Sequence, residues 1–180
     1  MIVAARDNQR GQRIPSGSGQ DDMSQLSHLD RDGQPRMVDV AAKPVTVRSA
    51  TAAASVYLNE EAFALAVEGV SAKGNVFAVA RIAGIMAAKR TAELIPLCHP
   101  LPLSHVSVDF DTDAVERCIR IRATCRVSAQ TGVEMEAMTA ASVAALTIYD
   151  MCKAVDRTIR IADLRLIAKS GGRSGSFVAA

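Results

Sequence analysis

Two ionisable residues near the end of a long apolar segment are the first candidates for chemistry. Asp150 and Lys153 are three positions apart, so they share a face if the segment is helical. An acid near the C-terminal end of a helix opposes the macrodipole, which favours cations there, so Asp150 is unfavourable for stability. Two interpretations stay open: an i,i+3 ion pair, or an acid–base pair with tuned pKa values in a half-buried pocket.

Two glutamates at the start of the same segment form a second candidate. Thr131 is a good helix N-cap and Glu134 follows three residues later, which is the pattern of a capping box and needs no function. Glu134 and Glu136 would lie about 200° apart on a helix, so they cannot both face one site if the helix has already begun. A helix that starts nearer Met135 would remove this objection. We therefore favour a structural role for Glu134 and a functional role for Glu136.

A proline-stiffened loop at 95–103 carries the third candidate, the pair Cys98-His99. A metal site would need further ligands, and the candidates are His105 and Cys125, with His28 in the polar N-terminal segment, so the pattern gives zinc little support. The pattern favours His99 as a hydrogen-bonding group or proton carrier, with a merely structural histidine as the alternative.

Several cations stand where they could bind an anion. Lys73 precedes the N-terminus of a predicted helix, where backbone N–H groups and the dipole favour anions. Lys89 and Arg90 could contact a phosphate or simply be solvated. The segment KSGGRSG at 169–175 is typical of an anion-binding nest or of a flexible tail. Together these cations, carboxylates and one histidine fit a small enzyme that acts on a phosphorylated substrate.

Composition bounds the class of protein. The chain has 180 residues, of which 49% are hydrophobic, 22% charged and 3% aromatic, with a formal net charge of +2. This nearly even balance of positive and negative charges argues against a nucleic-acid coat or a polybasic membrane patch. The scarcity of aromatic residues argues against a base-stacking platform. No apolar run approaches the roughly 20 residues of a membrane span. Without a signal-peptide pattern or CxxC pairing, the four cysteines are expected to be free thiols in a reducing cytosol.

The elements that must position these residues follow from hydrophobic periodicity, which predicts the order β-α-α-β-β-α-β. This order indicates an α+β sandwich of ferredoxin-like type, with helices covering one face of a mostly antiparallel sheet. Residues 1–36 are predicted to be disordered or loosely docked, and the tail after 170 to be flexible. The predicted strands are 44–58, with an irregular middle, 105–111, 117–129 and 160–170, and the predicted helices are 59–69, 75–94 and 132–155.

The longest predicted helix, 132–155, is small or apolar at nearly every position of its middle. A helix that is apolar all round is buried all round, and a single layer of helices cannot cover every face. A partner chain would supply the cover, so the pattern predicts a homo-oligomer. A one-sided helix with exposed alanines is the alternative, and the pattern favours neither.

Four long runs of the sequence are recognisable, namely MVDVAAKPVTVR (37–48), KGNVFAVARIAGIMAAKRTAELIPLCHPLPLS (73–104), TGVEMEAMTAASVAALTIYDMCKAVD (131–156) and LIAKSGGRSG (166–175). These runs resemble the MoaC family of molybdenum cofactor biosynthesis. The resemblance covers 23–177 and implies one catalytic domain there, with 1–22 as a disordered extension. It also implies a cytoplasmic homo-hexamer of ferredoxin-like subunits, a trimer of dimers with active sites at the dimer interface.

The resemblance also implies a reaction. The family's substrate, 3′,8-cyclo-7,8-dihydro-GTP, is converted to cyclic pyranopterin monophosphate with release of pyrophosphate. No metal or redox cofactor is implied, although Mg²⁺ could accompany the triphosphate. The implied catalytic residues are Asp150, Lys153, Lys73 and His99, and the implied substrate contacts are Leu97, Cys98, His99, Met135, Glu136, the adjacent Glu134, and Arg48.

These residues receive roles as hypotheses. Asp150 and Lys153 would act as general acid and base, with the pKa of the lysine lowered by neighbouring cations. Lys73 and Arg48, together with Lys89 or Arg90, would hold the triphosphate and stabilise charge as pyrophosphate leaves.

Two positions depart from the family pattern. Asn75 replaces an aspartate, but both residues cap helices, and Arg173 replaces a lysine, which keeps the charge and changes its geometry. The main alternative function is a non-catalytic nucleotide- or phosphate-binding oligomer of the same fold. An RNA-binding module of this fold would need exposed aromatics on its strands, and the central hairpin supplies only Phe110.

Overall fold

The computed structural model describes residues 32–69, 74–173 and 175–179. The predicted order of elements is confirmed, with one additional short helix and one additional short strand. The predictions for residues 1–22, and most of the disorder predicted for 1–36, fall on residues 1–31, which lie outside the described residues. The elements are β1 (Thr46–Tyr57), α1 (Glu60–Glu68), α2 (Val76–Lys89), α3 (Thr91–Leu94), β2 (His105–Asp113), β3 (Cys118–Ala129), α4 (Glu134–Cys152), β4 (Arg160–Ser170) and β5 (Phe177–Val178).

The strands form one antiparallel sheet in the order β2-β3-β1-β4-β5. Along β1, Ala50, Ala52, Ala54 and Val56 are buried, which is the period of two expected when one face of a strand meets the helices. The register between β1 and β4 shifts twice, between Thr51 and Ala52 and again before Ser55, so the irregular middle predicted for this strand is confirmed. The fold is therefore the predicted α+β sandwich of ferredoxin-like type.

Helices α2 and α4 pack closely because their contact surfaces are built from small residues. A Cβ added to Gly84 would lie 2.9 Å from the carbonyl oxygen of Ala140 and 3.3 Å from the Cβ of Ala144. The two helices are therefore so close at Gly84 that no larger side chain fits between them. This close approach explains why alanine rather than aromatic residues fills the core. None of the helices of the described residues is long and apolar enough to cross a membrane.

The second predicted helix is divided near its end. Helix α2 stops at Lys89, and the buried Thr91 donates its hydroxyl to the carbonyl oxygens of Ala88, at 3.0 Å, and Ala87, at 3.4 Å. A hydroxyl that satisfies the last carbonyls of a helix competes with continuation of the backbone pattern. The chain therefore restarts as the separate turn α3.

The C-terminal tail is not simply a flexible extension. Gly171 and Gly172 have φ values of 94° and 74°, which favour glycine, and they lead the chain back towards the sheet. Phe177 and Val178 then pair with Lys169 and Ala168 as the edge strand β5. The prediction of flexibility is wrong for this short segment.

Candidate active site

A cavity of about 240 Å³ opens at the N-terminal end of α4. The proline-stiffened loop forms one wall and the first turn of the helix forms another, so two segments far apart in sequence meet here. The structure brings together six of the predicted substrate contacts at this cavity, namely Leu97, Cys98, His99, Glu134, Met135 and Glu136.

The loop keeps its position through backbone hydrogen bonds as well as its prolines. The N–H of Cys98 donates to the carbonyl of Ile95 at 3.0 Å, and the N–H of Ser104 donates to the carbonyl of Arg126 at 2.9 Å. The first bond closes a turn within the loop and the second fastens its end to β3, so the loop presents Cys98 and His99 on a defined backbone. Such a loop suits a binding site that must be formed before its ligand arrives.

Glu136 is the most buried charged residue of the cavity, with only 4% of its surface exposed. Burial raises the pKa of its carboxyl, the charge of Glu134 raises it further, and a hydrogen bond from the backbone N–H of Glu136 itself opposes the shift. The preference for a functional Glu136 was based on helix geometry. Its burial adds a physical reason to expect contact with a ligand.

The thiols around Glu136 are poor nucleophiles. Burial, followed by the charge of Glu136, raises the pKa of Cys125 to about 12, and the same two causes raise the pKa of Cys98. A thiol with a raised pKa stays protonated near neutral pH and does not attack a substrate. Cys98 can therefore pack against a ligand or form a hydrogen bond with it, while covalent catalysis at this loop has no support.

Glu134 does not form the predicted capping box. The N-cap of α4 is Val133, without a side-chain hydrogen bond, and the helix begins at Glu134 itself, so Thr131 is too far upstream to cap it. Glu134 instead forms an ion pair with Lys169, with Oε1 and Nζ 3.0 Å apart. Its structural role is thus to tie the start of α4 to the end of β4.

The geometric objection to two glutamates at one site was wrong. Glu134 and Glu136 both line the cavity, although they point in different directions around the helix axis. The cavity lies at the end of α4 and not along one side, since Thr131 and Gly132 ahead of the helix also line it. At a helix end, side chains that diverge around the axis can still reach one space.

Arg48 lies close to this site without lining it. Its Nε donates to the carbonyl of Ala129, and a terminal nitrogen donates to the carbonyl of Gln130, both at 3.0 Å. The guanidinium packs against the backbone of Gly172, where a Cβ would collide with it. Arg48 therefore joins the turn that leads into α4 to the glycine turn after β4.

Asp150 and Lys153 form the ion pair that their spacing predicts. Nζ of Lys153 lies 2.8 Å from Oδ1 of Asp150, and the side chains are 52% and 55% exposed, respectively. The hydrogen bond and the negative charge of Asp150 raise the pKa of Lys153. Within one protomer, the predictions of a lowered pKa for Lys153 and of a half-buried pocket around the pair are therefore wrong.

The two groups of candidates lie at opposite ends of α4. Fourteen residues separate Glu136 from Asp150, and at 1.5 Å per residue this is about 21 Å. One protomer does not bring the acid–base pair to the cavity. Lys73 lies outside the described residues.

The cavity also includes a residue that we did not single out from the sequence. Lys43 lines it together with Val38 and Val40, and the N–H of Lys43 donates to the carbonyl of Val40 at 2.9 Å. The sequence feature that could have identified Lys43 is its place in one of the family-like runs, at 37–48. Within the described parts of the chain, no group of three or more His, Cys, Asp or Glu residues could hold a metal ion.

Comparisons with known proteins show the family of this chain. The MoaC family model matches residues 37–172. A protein of Chloroflexus aurantiacus named cyclic pyranopterin monophosphate synthase is 60% identical over 154 residues, covering 86% of this chain and 94% of that relative. Proteins of the same name from Chloroflexus aggregans and Thermomicrobium roseum are 61% and 59% identical over 155 residues, covering 86% of this chain and 94% and 93% of those relatives. The chain therefore belongs to the MoaC family.

Proposed function

We propose that this chain is a cyclic pyranopterin monophosphate synthase, a lyase of molybdenum cofactor biosynthesis in the cytoplasm. It converts 3′,8-cyclo-7,8-dihydro-GTP to cyclic pyranopterin monophosphate and releases pyrophosphate. The observation that carries this proposal is the identity of 59–61% to relatives of that name over 86% of the chain. The meeting of 97–99 with 134–136 at one cavity supports it further.

The active site is shared between two protomers of a dimer. Met135 and Leu146 are 36% and 57% exposed, and Lys153 lies further along the same helix. At 100° per residue these three positions fall within about 20° of one line along α4. An isologous pairing of two α4 helices in opposite directions would bring the Lys153 end of one against the Met135 end of its partner. Three such dimers would form the hexamer.

The protein's part in the reaction is to move protons and hold charge. Asp150 and Lys153 act as general acid and base once the partner's cavity covers them, because loss of water and added cations would then lower the raised lysine pKa. Lys73 and Arg48 stabilise the triphosphate as pyrophosphate leaves. His99 orients the ring or carries a proton. The skeletal rearrangement lies within the substrate, so no resident cofactor takes part, and any Mg²⁺ would arrive with the triphosphate.

The test is turnover of the proposed substrate. The purified protein is mixed with 3′,8-cyclo-7,8-dihydro-GTP, and pyrophosphate release and pterin fluorescence are followed together. Asp150→Asn should abolish both signals, whereas the matched variant Asp111→Asn, an exposed residue of β2, should keep them. Binding of the nucleotide by a folded oligomer without any product would instead favour the non-catalytic alternative.

A further inference from the structure

The acid–base pair stands on the part of its helix that opens most easily. Asp150 lies in the last turn of α4, and Lys153 is the C-cap that follows Cys152. The ends of a helix open more readily than its middle, and an acid in the last turn opposes the macrodipole. Both side chains are more than half exposed, so packing does little to fix them. Their direction therefore depends on how firmly the backbone of this turn is held.

Backbone hydrogen bonds close the turn that follows the helix. The N–H of Lys153 donates to the carbonyl of Tyr149 at 2.8 Å. The N–H groups of Val155 and Asp156 both donate to the carbonyl of Cys152, at 3.0 Å and 3.1 Å. Because Cys152 is fully buried, the turn is joined to the core at this point and leads directly into Asp156.

The carboxylate of Asp156 fastens this turn to a second helix. Only 3% of Asp156 is exposed. Its Oδ2 accepts from the backbone N–H of Asn59, and its Oδ1 accepts from the N–H and the hydroxyl of Thr158, all at 2.7 Å. Asn59 is the N-cap of α1, which packs on the core through the fully buried Ala62. The bond to Asn59 therefore joins the end of α4 to a docked helix, whereas the bonds to Thr158 stay local.

We infer that Asp156 is a positioning residue for Asp150 and Lys153, and that it acts through its bond to the backbone of Asn59. This inference rests on the proposed function, which gives the acid–base pair its part in the reaction. A charge-assisted hydrogen bond to a docked helix limits the opening of the last turn of α4. A displacement of about 1 Å at a catalytic group can lower a rate about 100-fold, so a loosened turn should slow proton transfer and leave the substrate contacts in place.

Steady-state kinetics with 3′,8-cyclo-7,8-dihydro-GTP test this inference. Asp156→Asn should lower kcat by about 10- to 100-fold and leave KM nearly unchanged. Asp156→Ser is a milder variant, because its hydroxyl oxygen can still accept a hydrogen bond, and its loss of kcat should be smaller. Thr158→Val removes the hydroxyl that donates to Oδ1 and spares the bond to Asn59, so it should keep most of its kcat.

A second control separates positioning from a general loss of stability. Ile119→Val removes one methylene group from a fully buried site on β3, far along the chain from the end of α4. It should unfold at a lower urea concentration than the wild type and yet keep its kcat. An equal fall of kcat in Ile119→Val and Asp156→Asn, or an unchanged kcat in Asp156→Asn, would overturn the inference.

Mixed dimers provide a measurement that a merely structural role would not change. In the proposed dimer, each site takes its ion pair from one copy and its cavity from the other. Asp156→Asn should therefore restore activity when it is co-expressed with Glu136→Gln, and it should fail to do so with Asp150→Asn. Restoration with Asp150→Asn would overturn the inference, because the two aspartates would then serve different parts of the site.

Absence of turnover by the wild type would count against the proposed function alone. Amide hydrogen exchange then tests the role of Asp156 by itself, since it needs no substrate. The N–H of Lys153 should exchange faster in Asp156→Asn than in the wild type or in Thr158→Val. Equal exchange in all three proteins would overturn the inference.

Discussion

Met135 and Lys153 lie on one line along α4 at opposite ends of the helix, eighteen residues and about five turns apart. Met135 lines the cavity with Glu136, and Lys153 carries the ion pair with Asp150. The exposed Leu146 lies between them on the same face. In the proposed dimer, a symmetric partner that covers this face antiparallel to it would assemble two complete sites, whereas within one protomer the cavity and the ion pair stay about 21 Å apart.

This relationship predicts complementation between two defective variants. Glu136→Gln damages the cavity half and Asp150→Asn damages the acid–base half. In a mixed dimer, one site receives both defects and the other site receives neither. Random mixing makes half of the dimers mixed, so co-expression should restore about a quarter of the wild-type activity if the two-fold symmetry holds. Pyrophosphate release by the co-purified mixture is the measurement.

Two controls make that result decisive. Each variant alone should remain far below a quarter of the wild-type rate. When both substitutions lie in one chain and this chain is mixed with the wild type, only the wild-type dimers, a quarter of the total, keep undamaged sites, so about a quarter of the activity should remain. Activity of the co-expressed pair no higher than the sum of the separate variants would show that each protomer holds a complete site.

The raised pKa of Glu136 predicts a pH-dependent cost in stability. The folded-state pKa lies above the unfolded value of about 4.3, so the folded protein binds this proton more tightly. The stabilising contribution is present below the unfolded pKa and is lost as the pH rises through the folded pKa. Glu136→Gln should therefore gain stability relative to the wild type as the pH rises through that window. Urea unfolding at several pH values measures the difference, and an unchanged difference across the window would contradict the shift.

The same carboxyl predicts the acidic limb of the activity profile. Glu136 is a proposed substrate contact and accepts hydrogen bonds best as a carboxylate, so kcat/KM should fall as the pH decreases through its raised pKa. Glu136→Gln should have lower activity without this limb. If the acidic limb of the Glu136→Gln profile lay at the same pH as that of the wild type, the limb would belong to another group, such as Asp150.

The strands and the long helix could be predicted because each has a regular burial pattern. Alternation marks β1 and β3, and small residues run through α4. Strand β5 could not be predicted, since two residues carry no period and their pairing depends on the distant Ala168 and Lys169.

Six of the predicted residues lie together at one cavity, but the geometry that brings them there was less predictable. Glu134 matches a capping box at the sequence level, yet Lys169, thirty-five positions away, binds it after the helix begins at Glu134. The separation of Asp150 from the cavity could be foreseen only once helix boundaries were fixed, because it follows from the length of α4. The proposal that the cavity and the ion pair of different copies form one site rests on assembly, which no spacing within one chain encodes.

The contact between α2 and α4 predicts an unusual response to alanine. Gly84→Ala in an exposed helix would stabilise it by about 1 kcal/mol through helix propensity. Here the new Cβ would lie 2.9 Å from the backbone oxygen of Ala140, so overpacking should outweigh the gain and destabilise the fold by about 1–2 kcal/mol. Urea unfolding of the variant measures this change. A more stable variant would show that the two helices can separate at little cost.

Asp156 predicts the opposite pH dependence from Glu136. Its carboxylate accepts from the backbone N–H of Asn59 and from the backbone N–H and hydroxyl of Thr158, all at 2.7 Å. The bond from Asn59 is the largest cause of its lowered pKa, and it fastens the segment after α4 to the start of α1. Asp156→Asn should cost about 1–3 kcal/mol at pH 7, because an amide cannot accept on both sides.

That cost should disappear in acid. The folded-state pKa lies below the unfolded value of about 3.9, so the carboxylate contributes stability above the unfolded pKa. The contribution is lost as the pH falls through the folded pKa, where the wild-type side chain becomes neutral like the variant's. Unfolding free energies of the wild type, Asp156→Asn and the exposed control Asp111→Asn should therefore converge at low pH. If the unfolding free energy of Asp156→Asn stayed below that of the wild type at low pH, shape and not charge would join these two segments.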